Sequence, residues 1–200
     1  MVARFIRSPL AAAVVMLTPV AAFAHTGVGH TASFQYGLAH PISGLDHILA
    51  MVLIGVLAWR AGGRALWLIP AAFVSVMAAG GMLGMSGITV PFIETGIALS
   101  VVLLGAAVAF DVRPHIVAAI GAAALFAIFH GQAHGAEMPA DLGGAAYAAG
   151  FLIATALLHL TGIGAAAVID RTGQRQGQFA VRMGGAAASL AGVGFLIGVL

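Results

Sequence analysis

Residues 40–47 read His-Pro-Ile-Ser-Gly-Leu-Asp-His, and an apolar run begins immediately at Ile48. Ionisable groups inside a bilayer are costly and usually face an interior path or a bound ion. Imidazole with carboxylate is also a ligand set for divalent transition metals. A second cluster, Phe-His-Gly-Gln-Ala-His-Gly-Ala-Glu, occupies 129–137. There His130 and His134 stand i, i+4, and Glu137 is i+7 from His130, so a helix reaching Glu137 carries all three on one face. An i, i+4 histidine pair is a two-point metal grip. Neither cluster suffices alone. His40 and His47 are two turns apart, but Asp46 sits about 100° round the helix from His47, so one helix cannot clamp an ion with all three. The 40–47 motif therefore supplies one wall of a site, with His130 and His134 as the opposite wall.

Further candidates follow from depth and chemistry. Glu94 opens an apolar segment at a similar level, and His25 and His30 precede the first motif. His159 lies deeper. The order expected along a path is His25, His30, His130, His134 and Glu137 outermost, then His40, Asp46, His47 and Glu94, then His159. Such a ladder lets a cation exchange ligands stepwise, provided each station binds weakly enough to release it. Blander roles compete: Asp46 with His47 as a structural hydrogen bond, Glu94 as an acid favoured by a helix N-terminus, and His115 as a solvated loop residue. For His159 the favoured reading is a satisfied interhelical donor. Met51, Met77, Met82 and Met85 are read as core packing.

The elements that must position these residues are membrane helices. Of 200 residues, 62% are hydrophobic and 7% charged, with mean hydropathy +1.09; soluble domains carry about 25% charged residues. The fold class expected is an all-α polytopic membrane protein, a bundle of about six transmembrane helices after a cleaved signal peptide. Abundant glycine, 28 residues, suits close helix packing. The chain has no cysteine, which excludes disulfides, thiolate metal sites and iron–sulfur clusters. No Walker motif or nucleic-acid-binding basic patch is present.

Arg4 and Arg7, an apolar 10–20 stretch and Ala22-Phe23-Ala24 read as a signal peptide at 1–24, with an uncleaved anchor as the alternative. Cleavage would leave His25 at the head of a periplasmic tail, 25–33, before a transmembrane domain, 34–200. An N-terminal histidine offers its α-amine and Nδ1 as a chelating pair. Six spans of roughly 20 residues are expected at 34–59, 65–85, 91–110, 115–134, 144–169 and 179–200. The first has an irregular or re-entrant start around His40-Pro41. Pro41 and Pro91 suit first turns, while Pro70 falls inside the second span and can kink it. The loops after spans one, three and five carry Arg60, Arg64, Arg113, Arg171 and Arg175, with Arg182 just inside span six; loops 86–90 and 135–143 carry no arginine. By the positive-inside rule both mature termini face the periplasm of a bacterial inner membrane.

His-Pro-x-x-Gly-x-Asp-His at 40–47, followed by a span, resembles the signature of the HupE/UreJ family, and the 129–137 stretch is similar to that family's second block. The likeness covers essentially the whole mature chain. It implies a secondary nickel or cobalt permease of the kind associated with hydrogenase or urease maturation. On this resemblance His40, Asp46 and His47, then His130, His134 and Glu137, carry over as metal-pathway residues; Glu94 and His25 are added from depth and chemistry alone.

The function expected is a secondary transporter or channel moving a divalent cation inward. Nickel rests on the resemblance, because imidazole suits cobalt, zinc and copper as well. The partners expected are the bilayer and the metal, with no prosthetic group and no nucleic acid, and a homo-oligomer is left open. Two rivals are a membrane-embedded zinc hydrolase using His130 and His134, and a channel for a small neutral molecule. Gly131, where a His-Glu-x-x-His motif requires glutamate, counts against the hydrolase.

Overall fold

The computed structural model describes residues 30–138, 143–171 and 175–200. The 1–24 segment, His25 and Asp141 lie outside these residues. Among the described residues there are seven helices: α1 (His30–Ser43), α2 (Leu45–Ala61), α3 (Ala65–Met85), α4 (Ile93–Ala109), α5 (Ile116–Ala136), α6 (Gly144–Arg171) and α7 (Arg175–Leu196). Four of them, α3, α5, α6 and α7, are long and apolar enough to cross a membrane; α1 and α2 together form a fifth, broken span bent by 83°. Helix α4 is apolar but shorter, 17 residues. The protein is a multi-pass helical membrane protein. Large apolar side chains such as Trp67, Leu103, Leu125, Leu157 and Leu190 face outward, the reverse of a soluble domain but natural against lipid.

The break in the first span falls at Gly44, not at His40-Pro41. Pro41 lies within the last turns of α1 rather than in a first turn, and Pro91 precedes α4 by one residue beyond its cap, Phe92. Gly44 is extended, at φ −105° and ψ 125°, so the chain stops one helix and starts another. A Cβ at Gly44 would stand 2.7 Å from Asp46 Oδ1 and 3.0 Å from His47 Nδ1. Glycine leaves room for both side chains to fold back over the helix start.

The principal packing pairs are α3 with α5, α4 with α7, and α6 with both α1 and α2. Small residues make these approaches possible. Gly131 and Gly135 of α5 each sit against α3, where a Cβ would strike the carbonyl oxygens of Met77 and Gly81. A core of Met51, Ile54, Phe73, Met77 and Val101 fills the centre.

At the end carrying the arginines, α2 is tied to its neighbours by polar contacts. Arg60 meets Asp111 at 2.8 Å and donates to the Val108 carbonyl at 2.7 Å. Trp59 donates to Asp170 at 2.6 Å. Asp111, just past the α4 cap Phe110, sits in the left-handed region, φ 55°, a conformation that aspartate tolerates better than most residues.

Candidate metal pathway

The sequence pattern His-Gly-x-x-His-Gly explains how α5 presents its histidines. Successive residues on a helix are 100° apart, so the glycines at 131 and 135 form one face and the histidines at 130 and 134 the next. The glycine face lies flat on α3. The histidine face is thereby turned inward, toward the bend between α1 and α2.

Three residues form a group able to hold a metal: His40, His134 and Glu137, with one ligand atom from each within 4.8 Å of the others. His40 Nε2 lies 3.2 Å from Glu137 Oε2. Glu137 caps α5, so the helix lasts just long enough to aim the carboxylate at α1. Ligands on one ion with bonds of about 2.1 Å stand some 3–4 Å apart; a small inward shift of these side chains completes the grip. The ion would then replace the hydrogen that His40 and Glu137 share.

From this mouth the imidazoles continue inward. The His134 ring lies 4.8 Å from that of His40 and 4.2 Å from that of His47; His47 in turn lies 4.8 Å from His130. Exposure is greatest at Glu137 and least at His130. The side chains of Glu137 and His40 are 56% and 16% exposed, that of His47 12%, while His134 and His130 are 4% and 0% exposed. The sequence-based order is thus corrected: His40 belongs at the mouth beside Glu137, and His130 is the deepest of the five.

Hydrogen bonds fix which nitrogens are free. Asp46 Oδ1 lies 2.8 Å from His47 Nδ1 and accepts a bond from the His47 backbone N–H at 2.8 Å. A carboxylate only accepts, so it selects the Nδ1–H tautomer and leaves the Nε2 lone pair available. His47 Nε2 is buried without a hydrogen-bond partner. At His130, Ser100 commits its hydroxyl hydrogen to the Ile97 carbonyl at 2.6 Å. Its oxygen therefore accepts from His130 Nε2 at 3.0 Å, which leaves His130 Nδ1 bare. Both nitrogens of His134 are likewise buried and unpartnered. Buried polar atoms are nearly always satisfied, and each exception costs about 1–3 kcal/mol. Several converging on one path are understandable as ligands.

Other expected site residues behave differently. Asp46 is a partner of His47 rather than a member of the three-residue group. Glu94 is exposed in the first turn of α4, outside that group. His115 caps α5, its Nδ1 accepting from the Val117 N–H at 3.4 Å. The methionines are less scattered than the sequence implied: Met77, Met82 and Met85 line a 250 Å³ crevice that reaches His134. Sequence reasoning missed Ser100, and it also missed Tyr147, whose ring lies 5.9 Å from that of His40 and whose hydroxyl donates to the His134 carbonyl at 3.4 Å. A lone serine or tyrosine on an apolar helix carries no spacing signal.

A family model described as HupE / UreJ protein matches residues 13–195. The chain belongs to the HupE/UreJ family. It is also 50% identical over 181 residues to Protein HupE of Rhizobium leguminosarum bv. viciae, an alignment covering 90% of this chain and 92% of that protein. No solved structure matches it. Two stretches widely separated in sequence meet within the matched region: His40 and His47 from one, His130, His134 and Glu137 from the other.

Proposed function

We propose that this HupE/UreJ member is a secondary transporter or channel that carries a divalent transition metal, nickel first, inward across the bacterial cytoplasmic membrane. The observation that carries the reading is the His40–His134–Glu137 group opening onto the imidazoles of His47 and His130. The carboxylate and imidazole at the mouth attract and strip a hydrated cation, and the deeper histidines accept it by ligand exchange. In the proposed orientation this mouth faces the periplasm and the arginine-bearing end the cytoplasm. A membrane potential of 100 mV then favours entry of a doubly charged ion by about 4.6 kcal/mol. Nickel is cargo here, and the bilayer is the partner; the proposed order of segments is a cleaved signal at 1–24, a periplasmic tail at 25–33 and the transmembrane domain at 34–200. His25 and Glu94 serve as outer attractors of cations rather than as members of the central group.

Radiolabelled nickel uptake by cells expressing the full chain tests the reading. Glu137→Gln and His134→Ala should each abolish saturable uptake while the protein still reaches the membrane. Wild-type uptake in either variant would refute it.

A further inference from the structure

His159 lies in the middle of α6, and the outer group does not include it. It is 1% exposed, and neither Nδ1 nor Nε2 has a hydrogen-bond partner. It is therefore not the satisfied interhelical donor that a lone histidine on an apolar helix suggests. Its ring packs edge-on against Phe73, with centroids 5.2 Å apart, and the same phenyl ring lies 5.7 Å from His130. Phe73 thus touches the deepest outer imidazole and His159 together.

One turn from His159 along α6 is Thr155, and one turn from Phe73 along α3 is Met77. Both are buried, and the Thr155 hydroxyl reaches the Met77 sulfur at 3.9 Å. The His159 imidazole therefore lies one turn along the α3–α6 interface from this thioether and hydroxyl, in an otherwise apolar interior. Imidazole and thioether suit the softer first-row cations. Unlike the mouth, where Glu137 provides a carboxylate, this group has no anionic member. A neutral ligand set holds a divalent ion more weakly, as a station before release should.

We infer that His159, with Met77 and Thr155 one turn nearer the mouth, forms a second metal-binding station along the α3–α6 interface next to Phe73. The inference rests on the metal-carrier reading for its purpose but not for its test. Full-length protein purified in detergent is equilibrated with radiolabelled Ni²⁺ in dialysis, and the same preparations are reconstituted into liposomes for uptake. His159→Phe keeps an aromatic ring against Phe73 and removes both nitrogens. It should lose one class of bound nickel, retain the class that His134→Ala removes, and slow uptake by about ten- to a hundredfold. If His159→Phe does not fold, Met77→Leu preserves packing and should selectively weaken the same class. Unchanged binding in His159→Phe, or in Met77→Leu where that variant is the one read, overturns the inference. Loss of the second class in a protein that transports no nickel would uphold the station and defeat the transport reading instead.

Discussion

At the scale of single residues, the site depends on which imidazole nitrogen is left bare. Asp46 holds the His47 ring through Nδ1, and under the proposed function it would orient a ligand. Asp46→Asn keeps the shape but can present its amide N–H₂ in place of an acceptor, allowing the wrong tautomer. Metal affinity in dialysis is expected to fall by about ten- to a hundredfold, the usual cost of losing such an outer partner. His47→Ala removes the lone pair itself and should cost more than Asp46→Asn in the same measurement; an equal or smaller effect would contradict the assignment. Ser100→Ala frees His130 Nε2 from its only acceptor, with the milder expectation of altered affinity and retained folding. Gly44→Ala introduces a methyl 2.7 Å from the Asp46 carboxylate. It should lower affinity even though residue 44 ligates nothing, because the Asp46–His47 pair must move.

At the scale of elements, two devices aim the side chains. The first is the 83° bend between α1 and α2, which brings His40 and His47 onto His134 from different directions. A continuous helix would place them two turns apart, about 10.5 Å along one axis. The second is the glycine face of α5, which seats the helix on α3 and so turns His130 and His134 inward. Gly131→Val places side-chain atoms against the Met77 carbonyl and should destabilise the fold by about 1–3 kcal/mol or more. A fall in the thermal midpoint of the detergent-solubilised protein, accompanied by loss of metal binding, is the expected result. The same substitution at Gly121, where a Cβ meets nothing within 4 Å, should leave both nearly unchanged.

For the whole molecule, the two ends differ in chemistry. One end gathers Glu137, His40 and the imidazole series; the other gathers Arg60, Asp111, Arg113 and Asp170. The proposed orientation, with the imidazole mouth outward, rests on the arginine asymmetry. A reporter active only in the periplasm should therefore be active when fused within 86–90 or at the C-terminus, and inactive at 62–63. The reverse pattern would turn the proposed direction of transport round. Arg60 binds both Asp111 and the Val108 carbonyl, so it also joins α2 to α4; its loss should lower stability more than loss of Arg113, which is largely exposed.

Much of this was legible from residue order alone. Long apolar runs with few charges can only be membrane helices, because backbone polar groups in lipid must be satisfied within the segment. The family was legible through the resemblance of the 40–47 and 129–137 stretches, and helix spacing gave the reading of these two stretches as opposite walls. What spacing could not carry was anything that depends on contact between helices. The break at Gly44 was displaced because Pro41 can be accommodated near a helix end, whereas the chain needs an extended residue where two side chains fold back. The reordering of His40 and His130 arose because depth along separate helices is a poor measure of distance across a bend. Ser100, Tyr147 and Phe73 gained roles only through neighbours far away in sequence. His159 is the sharpest case: its residue type suggested an ordinary interhelical donor, and only the packing of α3 against α6 decided that both its nitrogens lie without a partner.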